Sequence, residues 1–124
     1  MKSFRIALHA LILFAATSAA AVDGNAEAGL ALYQARCAAC HSIEFNGAGP
    51  AHRGVFGRQA GMAKGFAYSE ALKHSGLVWD EVTLNRWLEN PERTVPGQRM
   101  GINVPDEQDR ADLIAYLRKY AAAR

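Results

Sequence analysis

Cys37 and Cys40 are the only cysteines in the chain, two residues separate them, and His41 follows at once. That order limits what the chain can fold around. Two thiols one helical turn apart can each bond a vinyl group along one edge of a porphyrin, which leaves the next side chain beneath the ring, aimed at iron. Other readings of such a pair fit less well. A redox-active pair belongs in a βαβ setting, and no strand pattern is visible. A zinc site needs two more soft ligands, and no second cysteine pair exists. A short disulfide suits an oxidising compartment but does not call for His41. Cys37-Ala38-Ala39-Cys40-His41 therefore reads as a covalent haem attachment site.

The 124 residues allow one small domain at most. Lys2 and Arg5, an apolar run from Ile6 to Phe14, and small residues from Thr17 to Ala21 have the order of a secretory signal peptide cleaved near Ala20 or Ala21. An uncleaved anchor is the alternative, but the strongly apolar run falls short of the ~20 residues a spanning helix needs. The expectation is a leader over 1–21, a haem domain over 22–124 and export to the periplasm. The formal charge of +2 belongs to the leader, since losing Lys2 and Arg5 balances acids and bases. A formally neutral chain argues against nucleic acid as a partner, because phosphate binding is driven by clustered Lys and Arg.

Helical periodicity points to an all-α fold. The first helix runs from about Gly24 or Asn25 to Arg36, with Asp23 or Asn25 as cap and an inward stripe of Gly29, Leu32, Tyr33 and Arg36. The second spans Asp80 to Glu89, stops before Pro91, and turns Leu84, Trp87 and Leu88 inward. The third starts at Pro105, with Asp106, Glu107 and Asp109 in its first turn, an apolar stripe of Leu113, Tyr116, Leu117 and Tyr120, and Arg118, Lys119 and Arg124 at its end. A short helix over Ser69 to His74 takes Ser69 as cap. The segment from Ser42 to Ala67 is too long to lie structureless in so small a domain, so something must hold it.

A haem attached on one side leaves the other side of the iron for a second ligand. Met100 lies in Pro96-Gly97-Gln98-Arg99-Met100-Gly101, a turn-rich loop where packing alone gives a methionine little reason to be buried. Met62 sits in a Gly-flanked segment and reads as a gap-filler or an exposed side chain. His52 and His74 are rival ligands, although a lone histidine is more often a surface or hydrogen-bonded residue.

The motif sits among further blocks: Gly49-Pro50, Val55-Phe56-Gly57-Arg58, Gly65-Phe66-Ala67-Tyr68-Ser69, Trp79, Leu88-Glu89-Asn90-Pro91, Pro96-Gly97 with Met100, and Asp112-Leu113-Ile114-Ala115-Tyr116-Leu117. Together they resemble class I cytochrome c, the mitochondrial type and its soluble bacterial relatives, in order and approximate spacing. The resemblance implies three main helices, one or two short ones and long loops wrapped around a single haem c bonded through Cys37 and Cys40. It implies His41 and Met100 as iron ligands, with the Pro50 carbonyl orienting His41. Arg58, Tyr68 and Trp79 would hold a buried propionate, and Gly29 and Tyr33 would pack against Tyr116. The function so implied is one-electron transfer between redox partner proteins by a monomer that is not an enzyme and has no small-molecule substrate. Two alternatives stay open: an electron-accepting subunit of a dehydrogenase complex, or a ligand-binding or peroxidatic haem protein if Met100 does not reach iron.

Departures from the family pattern shape further expectations. Trp87, Leu72 and Gln98 stand where mitochondrial relatives have tyrosine, asparagine and threonine, which should weaken or rearrange the polar network beside the methionine sulfur. Arg99 replaces a lysine able to displace methionine at high pH. The loop after Met100 offers Gly101, Ile102 and Asn103 in place of an aromatic cover. Arg36, Arg93 and Arg99 match basic docking positions, but Asp106 and Glu107 replace basic residues, diluting the surface that would meet an acidic partner.

Overall fold

A computed structural model describes residues 22–122, in which the regular elements are helices joined by long loops. The leader expected over 1–21 and the terminal Arg124 lie outside the described residues. Five helices follow in order: α1 Ala26–Arg36, α2 Glu70–Lys73, α3 Glu81–Glu89, α4 Pro91–Thr94 and α5 Glu107–Tyr120. Gln59 and Val78 form an isolated antiparallel bridge, and there is no strand among the described residues.

Each helix begins where a short polar side chain can accept the first free backbone N–H groups. Asn25, not Asp23, caps α1 by accepting from Glu27 and Ala28. Ser69 accepts from Leu72 at the start of α2, and Asp80 and Thr83 form a reciprocal capping box on α3. Asp106 caps α5, so the third main helix starts one residue beyond the cap and Pro105 precedes it. Pro91 ends α3 as expected but also opens α4, because Asn90 serves as cap to both and a proline costs nothing at a first helical position.

The first and last helices cross closely. A Cβ added to Gly29 would lie 2.0 Å from the Asp112 carbonyl oxygen and 2.7 Å from the Tyr116 Cβ, so the crossing admits no side chain there. Tyr33 packs on Tyr116 with ring centroids 4.9 Å apart. The Asp112 carboxylate, buried at this crossing, accepts from the backbone N–H of Asn25 at 2.7 Å and from Gln108 at 2.9 Å. Arg110 is buried too: it donates to Asn85 of α3 and to the carbonyls of Val104 and Pro105, which joins α5, α3 and the segment after Met100.

The inward stripes need two corrections. Arg36 is exposed and faces Asp109 at 3.7 Å, and Tyr120 is exposed beside Glu27. In each case the last turn of the helix runs past the crossing, so its long polar-tipped side chain reaches water. Ile114, absent from the expected stripe, is buried instead.

The long loop is held from both sides. His52 and Arg53 donate backbone N–H groups to Ser42 and Ile43, Gly54 donates to Ala121, and the Arg53 guanidinium reaches the Tyr120 and Ala122 carbonyls. Asn46 bridges the loop's ends, accepting from Ala51 and donating to Lys64. Trp79 and the 57–58 segment exchange backbone hydrogen bonds, which fastens the loop to the chain before α3.

Candidate functional site

The chain turns tightly at the end of α1. Cys37 donates its N–H to Tyr33, then Cys40 and His41 both donate back to the Cys37 carbonyl, at 3.1 and 2.9 Å. This extra turn brings both thiols and the imidazole to one cavity of about 660 Å³. All eight residues expected at the site line that cavity: Cys37, Cys40, His41, Pro50, Arg58, Tyr68, Trp79 and Met100. They come from the turn after α1, the long loop and the segment that follows it before α2, the approach to α3 and the loop after α4. Met62 is exposed and lies elsewhere, and His74 is a surface residue paired with Glu70.

His41 is oriented by its neighbours. Its Nδ1 lies 2.8 Å from the Pro50 carbonyl, which can only accept, so Nδ1 carries the hydrogen and Nε2 keeps its lone pair. Burial pulls its pKa down and the Pro50 bond opposes this, so the ring is a neutral donor at neutral pH. Gly49 makes room for it: an added Cβ would sit 2.3 Å from the ring's Cε1. The Cys37 thiol is pushed up to about 11, mainly by burial.

His52 lines the cavity as well, but stacked on His41, with centroids 4.2 Å apart and planes 19° from parallel. It shares a hydrogen bond with the Tyr33 hydroxyl at 2.8 Å. Burial, then the charges of His41 and Arg58, push its pKa down to about 3. Of the readings open for His52, a rival ligand or a surface or hydrogen-bonded residue, the hydrogen-bonded one is what the structure shows. Its distance of two residues from Pro50 was the available signal that it belongs on the same side as His41.

Arg58 uses its terminal nitrogens on the chain, donating to Arg53 at 2.8 Å and to Ala51 at 3.1 Å. Its Nε is buried and has no partner among the described residues. An orphaned guanidinium donor beside a cavity is the requirement of an anionic group that is not part of the chain. The Arg53 Nε is orphaned too, but Arg53 does not line the cavity. Tyr68 accepts from the Ala63 N–H at 3.1 Å, and Trp79 packs on Trp87 with centroids 5.2 Å apart. A mostly apolar cavity with two thiols, a free imidazole nitrogen and an orphaned cationic donor fits a porphyrin carrying carboxylates.

The substituted positions do not all meet at the sulfur. Leu72 and Trp87 line the cavity as apolar wall. Gln98 turns its side-chain oxygen to the backbone N–H of Met100, and Glu92 accepts from Gly97 and Gln98.

Residues 26–121 match the family described as Cytochrome c. The chain is 45 % identical over 103 residues to cytochrome c2 of Rhodoblastus acidophilus, an alignment covering 80 % of this chain and 95 % of that protein. Cytochrome c of Euglena viridis is 43 % identical over 77 % of this chain and 96 % of its own length. The solved structure of cytochrome cH from Methylobacterium extorquens superposes with a TM-score of 0.74 at 45 % identity, covering 77 % of this chain and 98 % of that one. Motif, helical fold and relatives agree: the chain belongs to the cytochrome c family, class I, whose haem c is bonded through the two cysteines, here Cys37 and Cys40.

Proposed function

We propose that the chain is an exported single-haem electron carrier whose iron is held by His41 and Met100 and which passes one electron at a time between partner proteins. The observation that carries this reading is the His41–Pro50 bond of 2.8 Å, which leaves Nε2 free in the cavity that Met100 also lines. When bound, haem supplies an iron centre that gains and loses one electron. The residues supply the rest. Pro50 orients His41 so that its Nε2 would hold iron, and Met100 would supply the other protein ligand, leaving no site for a substrate. Arg58 offers its buried Nε to a propionate, with Tyr68 and Trp79 beside it, so that the carboxylate's charge is matched where water is excluded.

Residues 1–21 act in this reading as a leader removed on export to the periplasm, which leaves 22–124 as the working domain. No helix among the described residues is long and apolar enough to cross a membrane. The partner-facing surface is of mixed charge. Arg36 and Arg99 border the cavity, yet Arg36 faces Asp109, and Asp106 and Glu107 are exposed nearby in the chain. Such a surface suits a partner that is not strongly acidic, and electron transfer to it depends weakly on salt.

The test uses the protein matured in a host able to attach haem. Pigment retained through acidic acetone establishes the thioethers. A weak red charge-transfer band in the ferric protein, abolished in Met100→Ala, establishes methionine ligation. A wild type without that band, whose ferrous form binds carbon monoxide rapidly, would transfer the protein to the ligand-binding reading.

A further inference from the structure

We propose that His52 sets the plane of the His41 ring, as a positioning residue that is itself held by Tyr33. This rests on His41 being the iron ligand, and it adds a determinant to that site. The Pro50 carbonyl fixes which nitrogen of His41 carries hydrogen, but carbonyls accept over a broad range of directions, so that bond alone leaves the ring plane loose. A flat ring stacked at 4.2 Å and 19° narrows the range, because turning His41 would drive its edge into His52. Such a ring can hold its neighbour only if its own plane is fixed.

Tyr33 fixes it. Its hydroxyl shares a hydrogen bond with His52 Nδ1 at 2.8 Å, and the two rings also meet edge-on at 5.6 Å. Tyr33 is only 4 % exposed, lies on α1, and packs at 4.9 Å on Tyr116 of α5. The His52 backbone is pinned in turn by its N–H to the Ser42 carbonyl at 2.9 Å. An unbroken run of ring contacts therefore joins the α1–α5 crossing to His41. The pair serves no other evident purpose, since an aliphatic side chain at position 52 would fill the same wall without burying a polar ring.

In a low-spin ferric haem the plane of the axial imidazole directs unpaired spin over the macrocycle, so the paramagnetic shifts of the ring methyl protons report that plane. The experiment compares proton spectra of the ferric haem-loaded wild type, His52→Val, His52→Phe and Tyr33→Phe. The red charge-transfer band serves as the check that Met100 is still bound. The expected result is a changed order or spread of the methyl resonances in His52→Val and in Tyr33→Phe. His52→Phe, which keeps a flat ring but loses the bond to Tyr33, shifts in the same sense as Tyr33→Phe. A wild-type pattern in His52→Val, in His52→Phe or in Tyr33→Phe would overturn the proposal. Tyr33→Phe removes a single oxygen atom and decides the question if neither His52 variant accumulates. A wild type lacking low-spin paramagnetic shifts would instead overturn ligation by His41, so the two readings fail by different signs.

Discussion

Gln98 folds its side-chain oxygen back onto the N–H of Met100, and the carboxylate of Glu92, on α4, accepts from Gly97 and from the Gln98 amide. The backbone of the methionine is thus tied to a helix through one side chain. No hydrogen bond reaches the sulfur among the described residues. Gln98→Ala is expected to loosen this loop, leaving the fold intact. A hydrogen bond of about 1 kcal/mol corresponds to roughly fivefold tighter apparent binding of added imidazole to the ferric protein. An imidazole titration followed at the red band measures it, and equal affinities in variant and wild type would show that Gln98 does not restrain Met100.

Gly29 is a position on α1 where the helix crossing tolerates no side chain. A Cβ there meets a backbone carbonyl, which cannot rotate away, so Gly29→Ala must part α1 from α5. The expected loss is roughly 2 to 3 kcal/mol, read from the denaturant midpoint of the haem-loaded protein. A midpoint within error of wild type would mean that the helices separate at little cost.

Arg99 precedes Met100, and a guanidinium does not bind iron, so it offers no replacement for a methionine ligand. The ferric wild type is expected to hold its red band to higher pH than Arg99→Lys, whose amine becomes a ligand once deprotonated. A pH titration of both proteins checks this. Identical midpoints would place the replacing ligand elsewhere in the chain.

Asp80 gives a pH-dependent contribution to α3. Its carboxylate accepts from the Thr83 N–H at 2.8 Å and from the Thr83 hydroxyl, and the backbone bond is the largest cause of a pKa held below the ordinary 3.8. A depressed folded value means stability that is present above the unfolded pKa and lost as pH falls through the folded one. Asp80→Asn is therefore expected to melt below wild type at neutral pH. The gap should close as the pH is lowered through and beyond 3.8, because the protonated wild type loses the same charge. A gap that stays constant with pH would show that the charge contributes nothing to the cap.

Local chemistry was readable from the residues alone. A thiol pair with its histidine needs only a turn of helix. Ser69 caps α2 as expected and Asn25 is one of the two caps offered for α1, whereas Asp80 and Asp106, expected inside their helices, stand just outside as caps. Pro91 was read halfway, because the same ring that ends one helix can open another, and only the geometry at Asn90 chooses. The residues lining the cavity could be named in advance because the blocks around the attachment motif resemble those of a known family.

The amino-acid order by itself determined the main helices and the point of covalent attachment, since these depend on neighbours along the chain. Only the tertiary structure decided that Arg36 and Tyr120 face water, that Asp112 is buried under an N–H 87 residues away, and that His52 leans on His41 in place of competing with it. Those outcomes depend on which surfaces the crossing of α1 and α5 brings together, and contacts between residues far apart in the chain leave no periodic mark on either of them.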